Sequence, residues 1–281
     1  MKRFLYILLS LLLAAFTVAF TACQPSLPDN PETLVVEGWI ENGSAPIVFV
    51  TSSVSTSFDE MDLSDLIDHV AFDANVTITH NGVTYPLTPT IKNEYLLKFC
   101  YTSSTLKGIV GGTYQLDVDW NGHHATATAT IQPPATVDSI VIERHHIIDT
   151  LYVLKVHPVP APDVRYYQFF SMDVNQETTY NASYMGTFDS QLNTTGLVEV
   201  NRGINNPITQ NDYYYVLGDS VLFKIASLEP QAYDFWRKFD ENRLFSHAAL
   251  LPYTTNLATN LTGAQGYFFA YGITTYAVTI K

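Results

Sequence analysis

From Thr33 to Pro134 the chain alternates apolar or β-branched positions with polar ones in short runs, each bounded by turn residues. Such period-two stretches read as half-buried β-strands. They fall near 34–41, 46–53, 74–80, 83–88, 94–101, 113–120 and 123–131. Asn81-Gly82 and Asn121-Gly122 each separate two of these runs. Asn-Gly tolerates positive φ at both positions, so each pair predicts a tight hairpin. Seven short strands in about 100 residues point to a β-sandwich of immunoglobulin-like or transthyretin-like type.

The stretch from Phe58 to Val70 breaks the alternation. Asp62, Asp65, Asp68 and His69 recur at three- and four-residue spacing opposite Met61, Leu63, Leu66 and Ile67, as in a short amphipathic helix or polar insert. Gln132-Pro133-Pro134 then ends the first pattern, because two adjacent prolines cannot donate to a strand ladder. Beyond it, Asp138–Glu143, Leu151–Val159, Arg165–Val174, Tyr180–Phe188 and Tyr213–Ile225 are strand-like. The period changes near 228–245, where Ala232, Phe235, Trp236 and Phe239 share one helical face, with Ser227 as cap and Pro230 in the first turn. Asp234, Lys238, Asp240 and Glu241 lie largely on other faces. A closing strand runs from Gly266 to Ile280. The expectation is a mostly β protein: an N-terminal sandwich over 33–134, then a second β-rich domain over 135–281 with one main helix.

The N-terminus follows neither pattern. Met1-Lys2-Arg3 precedes an apolar run from Phe4 to Phe20, and small residues Thr21 and Ala22 come directly before Cys23. A basic start, an apolar stretch and small residues before a cut site form a signal peptide over 1–22. The placement of Cys23 resembles a bacterial lipobox, in which the cysteine becomes the lipidated first residue. Residues 23–32, with Pro25, Pro28 and Pro31, then read as an extended tether. A lipid on Cys23 is the expected membrane contact.

Charge narrows the function further. The formal net charge is −13 and only 15% of residues are charged, against about 25% in a typical domain. Nucleic-acid binding is not expected, since a phosphate-binding face needs clustered Lys and Arg. Between Gln24 and Ile91 there are ten acids and no Lys or Arg, while residues 92–281 carry 12 bases and 17 acids. An acidic first half is repelled by an anionic membrane surface, which leaves anchoring to the lipid.

No residue set commits to catalysis. G-x-S-x-G, P-loop, G-x-G-x-x-G and H-E-x-x-H patterns do not occur. Asp117-Val118-Asp119-Trp120-Asn121-Gly122 matches the first half of a calcium loop, but Thr128 stands where a bidentate carboxylate is needed. The acids Asp59, Glu60, Asp62, Asp65 and Asp68 read as a solvated face, with binding of a hard cation through several oxygens as the alternative. His123-His124 and His145-His146 fall on strand-like segments, where neighbours point to opposite faces, so neither pair should chelate one ion. Cys100, alone after lipidation of Cys23, has no disulfide partner and reads as a buried thiol. No cofactor or metal is expected. The aromatic runs Tyr166-Tyr167, Tyr213-Tyr214-Tyr215 and Tyr267-Phe268-Phe269 each turn one residue outward, as sheet surface or as an interface.

The layout as a whole resembles a family of Bacteroidetes lipoproteins known as domain of unknown function 4249. The resemblance is carried by the lipobox ending in Cys23, Leu34-Val35-Val36-Glu37-Gly38-Trp39-Ile40, Tyr114-Gln115-Leu116-Asp117-Val118 and Pro133-Pro134 with Val137-Asp138-Ser139-Ile140. It is extended by the helix with Tyr233 and Trp236 and by Asn260-Leu261-Thr262-Gly263-Ala264-Gln265-Gly266-Tyr267-Phe268. It implies a lipoprotein of the outer membrane, periplasmic or surface-facing, that accompanies a TonB-dependent transporter. The expected function is therefore a non-enzymatic accessory or ligand-capture protein. The alternative is a structural fimbrillin-like subunit. Such pilins are cut after Arg or Lys near the first strand, and no such residue lies between Cys23 and Lys92.

Overall fold

The computed structural model describes residues 33–53, 67–193, 195–203, 213–245 and 256–281. Cys23, the leader, the tether and the acids Asp59, Glu60, Asp62 and Asp65 lie outside the described residues. The strands in the first half are β1 (Leu34–Glu41), β2 (Ile47–Ser52), β3 (Asn75–His80), β4 (Val83–Pro86), β5 (Thr88–Ile91), β6 (Phe99–Thr102), β7 (Thr113–Trp120) and β8 (His123–Thr130). The second half holds β9 (Thr136–Arg144), β10 (Leu151–Val159), β11 (Tyr166–Asp173), β12 (Asn181–Asp189), β13 (Val198–Val200), β14 (Tyr215–Val216) and β15 (Ser220–Leu228). A helix α1 (Pro230–Phe245) and the long β16 (Gln265–Thr279) follow. The protein is mostly β and sandwich-like, as its alternation predicts.

Both Asn-Gly pairs form the expected hairpins. Asn81 and Gly82 have φ of 50° and 76°, and Asn121 and Gly122 have 48° and 81°. They join β3 to β4 with His80 opposite Val83, and β7 to β8 with Trp120 opposite His123. In β8 the sequence Ala-Thr-Ala-Thr-Ala turns each alanine inward, at 125, 127 and 129, and the intervening threonines outward.

The sheets are not confined to the two halves of the chain. An eight-stranded sheet runs β12-β11-β15-β16-β1-β2-β6-β5, with two four-stranded sheets, β4-β3-β7-β8 and β9-β10 with β13 and β14. Strand β16 joins the halves. Its residues Gln265–Tyr271 pair parallel with β1, and Gly272–Thr279 pair antiparallel with β15. At 15 residues and about 3.3 Å each, it spans roughly 50 Å.

Side-chain parity along β16 organises the core. Phe268 and Ala270 face the first small sheet and join Leu34, Val36, Ile40, Ile78 and Leu116. Tyr276 and Val278, of the same parity, face the second small sheet with Tyr167, Phe169, Phe223 and Leu154. Both small sheets therefore cover one face of the shared sheet. Phe269, Tyr271 and Ile273 point the other way, toward Phe235 and Trp236 of α1.

Several local expectations change. Cys100 lies in β6, but the strand expected from Glu94 begins only at Phe99, because residues 93–97 leave the sheet and place Tyr95 and Leu97 against Phe49. Ser227 does not cap the helix. It is buried in β15, and α1 starts at Pro230 after Glu229, whose carboxylate instead accepts from the Thr130 N–H at 2.9 Å. Asp240 is buried, accepting from Thr187 Oγ1 at 2.9 Å and from the Met185 N–H at 3.3 Å. The run expected over Tyr213–Ile225 is broken at Gly218 (φ 96°) into β14 and β15.

Candidate functional site

On the helix-bearing face of the shared sheet, α1 covers the β11–β15–β16 side and leaves the β1–β2 side partly open. The gap is a cavity of about 920 Å³. Its walls come from both halves of the chain. Strand β1 contributes Trp39 and Glu41, β15 Lys224, β11 Phe170, β16 Tyr267 and Tyr271, and α1 Trp236. The segments before β6 and before β12 add Lys92, Glu94 and Tyr95, and Thr178, Thr179 and Tyr180.

A charged pair forms part of the lining. Glu41 and Lys224 bond directly, with side chains only 11% and 9% exposed. The Lys224 ammonium also lies 4.6 Å from the Tyr180 ring centroid and 5.4 Å from that of Phe170. These ring faces offset part of the cost of bringing the ammonium out of water. At the mouth, Lys92 pairs with Glu94 at 3.3 Å. Thr178 Oγ1 donates to the Glu94 carbonyl at 3.0 Å, which ties the two mouth segments together.

The aromatic walls are fixed by mutual contact. Tyr95 meets Trp39 and Phe49 edge-on at 5.8 and 5.4 Å. Trp236 Nε1 donates to the Tyr271 hydroxyl at 3.0 Å and packs edge-on against Phe170 at 5.3 Å. Burial pushes the Tyr95 hydroxyl up to about 12, with the carboxylates of Glu94 and Glu41 adding to it. Burial likewise raises Tyr271 and Tyr180. All three hydroxyls remain protonated at neutral pH. Aromatic walls with a few placed polar groups, at this volume, are the usual make-up of a small-molecule site.

The residues singled out by sequence are distributed otherwise. Tyr267 reaches the cavity, but Phe268 enters the first core. Tyr167 is in the second core, its hydroxyl donating to the Val164 carbonyl at 2.9 Å, and Tyr215 is buried there too. Tyr166 stacks on Tyr233 at 4.3 Å. The Cys100 thiol is fully buried between Ile47 and Phe49, and burial raises its pKa, so it is no nucleophile. Asp68 is exposed at the end of the acidic insert.

The half calcium motif is a strand running into its hairpin. Asp117 and Asp119 do meet a third group across the ladder, His124, with donor atoms within 4.8 Å of one another. His124 Nδ1 lies 2.8 Å from Asp119 Oδ1 on an exposed face, and Nε2 lies 3.8 Å from Asp117 Oδ2, so the imidazole takes up the two carboxylates as a cross-strand contact. His145 and His146 are not in a strand. They follow β9 in a turn, with rings 4.6 Å apart, and His145 Nδ1 accepts from the N–H groups of Ile147 and Ile148.

Glu41, Tyr95, Tyr180 and Lys224 were not singled out by sequence, and Trp39 entered only as part of the opening strand. One signal was present: Lys224 stands alone in Ser-Val-Leu-Phe-Lys-Ile-Ala-Ser-Leu, an otherwise charge-free strand. A lysine there needs a buried partner.

The family model described as "Domain of unknown function (DUF4249)" matches residues 21–277. The chain belongs to that family. No curated protein matches it. Among solved structures, the crystal structure of chicken CNTN1 FN1-FN3 domains matches at a TM-score of 0.24 and 8% identity. That match covers 68% of this chain and 59% of the other, so this DUF4249 member spans less than two thirds of it.

Proposed function

We propose that this DUF4249 protein is a lipid-anchored, non-enzymatic binding protein of the outer membrane that captures a ligand in the cavity beside Lys224 and Glu41. The observation that carries the reading is the cavity itself: 920 Å³, aromatic-walled and built by both halves of the chain. Among the described residues, its lining holds neither His nor Cys. The anchor rests on the order of basic, apolar and small residues before Cys23. A chain of about ten residues, the length from Cys23 to the start of β1, can reach at most roughly 30 Å, enough to hold the domains over a neighbour in the same membrane. The family resemblance suggests a TonB-dependent transporter as that neighbour. Confinement to one surface makes even a weak contact effective.

Ala45 lines the cavity, so Ala45→Trp projects a large ring into it from the wall. The full chain purified from its native cells should retain a small compound, detected by mass spectrometry after denaturation, that the variant lacks. Equal compound profiles for the two proteins would refute capture at this site. Cys23→Ser should abolish incorporation of labelled palmitate.

One observation favours a second reading, a subunit that assembles by strand addition. Among the described residues, strand β9 is an edge strand of nine residues with Ile140 and Val141 exposed. An unpaired edge of that length is a template for another strand. Concentration-dependent polymers in sedimentation experiments would favour it over the capture reading.

A further inference from the structure

We infer that the ligand of this cavity is a neutral polyhydroxylated molecule, an oligosaccharide, held by hydroxyl contacts to Glu41 and Lys224 and by stacking on the aromatic walls. The inference rests on the capture reading above and adds the chemical class. It starts from charge balance. Among the described residues the lining holds two acids and two bases, and they pair off: Lys92 with Glu94 at 3.3 Å, and Lys224 with Glu41. A cation, an anion or a zwitterion entering the cavity would meet no unmatched charge of opposite sign. A neutral ligand leaves both intact.

The inner pair also has valence to spare. An ammonium has three N–H groups and a carboxylate about four acceptor positions. Lys224 gives one N–H to Glu41 Oε1, and its other described neighbours are the rings of Tyr180 and Phe170. A purely apolar ligand would strip water from these groups and replace nothing, which is costly. A pair of adjacent hydroxyls answers both at once, one donating to the carboxylate and the other accepting from the ammonium. Charge-assisted hydrogen bonds of this kind are the strong ones.

The rest of the lining suits the same chemistry. Trp39, Tyr95 and Tyr267 give the lining the aromatic surface that packs against the C–H face of a sugar ring, and Tyr and Thr179 side chains add neutral hydroxyls. The cavity lies near the upper end of the roughly 300–1,000 Å³ usual for small-molecule sites, which suits more than one sugar ring.

The full chain in detergent would be screened on an array of neutral and charged glycans, and the strongest hit titrated by calorimetry. Neutral oligosaccharides should bind and charged ones should not. Ala45→Trp should abolish binding. The paired variant Glu41→Gln/Lys224→Met, which leaves no unpaired charge, should weaken it at least tenfold with an unchanged β-type circular dichroism spectrum. If that variant does not fold, Tyr95→Ala in the mouth segment should weaken binding at least fivefold. Suppose no neutral glycan binds, but a dipeptide mixture or a fatty acid raises the melting temperature of the wild type and not of Ala45→Trp. The class would then fall and the capture site stand. If no probe binds and no compound co-purifies, both fall.

Discussion

The side-chain amide of Asn42 closes on both main-chain polar groups of Ile273, accepting from its N–H at 2.6 Å and donating to its carbonyl at 3.3 Å. The two residues are 231 positions apart. Asn42 follows the last residue of β1, and Ile273 lies just past the point where β16 leaves β1 for β15. The carboxamide thus imitates one further ladder residue where the pairing partner changes. Asn260 does the same for Phe268, and Asn201 for Tyr184. Asparagine suits the role because its side chain carries one donor group and one acceptor, as a peptide unit does.

Asn42→Ala should lower stability by about 1–3 kcal/mol, because it leaves two main-chain groups of a central strand without partners. Asn42→Asp keeps the acceptor and loses the donor, so it should fall between. Urea denaturation measures both. A midpoint for the alanine variant equal to wild type would mean water replaces the amide without loss.

Gly272 should resist substitution for a different reason. A Cβ there would fall on the carbonyl oxygen of Gln132, where the linker between the halves crosses β16. Moving a main chain that is itself held by the Gly272 neighbourhood costs on the order of 3 kcal/mol. Gly82 has φ of 76° and nothing near its missing Cβ, so Gly82→Ala should cost only about 1 kcal/mol. Thermal melts of the two variants should rank in that order.

The buried pair predicts non-additive energetics. Lys224→Met alone leaves the Glu41 carboxylate without its cation, and Glu41→Gln alone leaves the ammonium; each should cost about 3–5 kcal/mol. The double variant should lose far less than the sum. A double-mutant cycle in urea gives the coupling directly. Additive losses would show that the pair is not formed in solution.

His124 supplies a pH signature. Its hydrogen bond to Asp119, then the charge of Asp117, raises its pKa above 6.5. Nuclear magnetic resonance should show the ring titrating above that value, and Asp119→Asn should bring it down. Because the folded value is the higher one, the stabilisation is complete below pH 6.5 and is lost as pH rises through the folded pKa. The stability difference between wild type and Asp119→Asn should shrink over that interval.

Residues 33–134 alone should not melt cooperatively. In the whole chain the β1 edge is covered by Gln265–Tyr271, and Phe268 and Ala270 fill the first core. Adding a peptide of residues 256–272 should restore a cooperative transition. A cooperative melt of the fragment by itself would show that the first sandwich is complete without β16.

Local order was written in the sequence. Alternation set the strand type, Asn81-Gly82 and Asn121-Gly122 set two hairpins, and the change of period near Pro230 set the helix, because each of these is decided by neighbours within a few residues. The same alternation placed Tyr267 and Phe268 on opposite faces. It could not say which face was core and which cavity, since both are apolar. Nor could it show that the proline-marked halves share a sheet: the pairing of β1 with β16 joins residues more than 200 positions apart, and no local pattern encodes a partner. The cavity depends on that pairing. Only when β16 carries the second half alongside the first does Lys224 come to rest beside Glu41, so the site exists in the tertiary structure and in no single stretch of the chain.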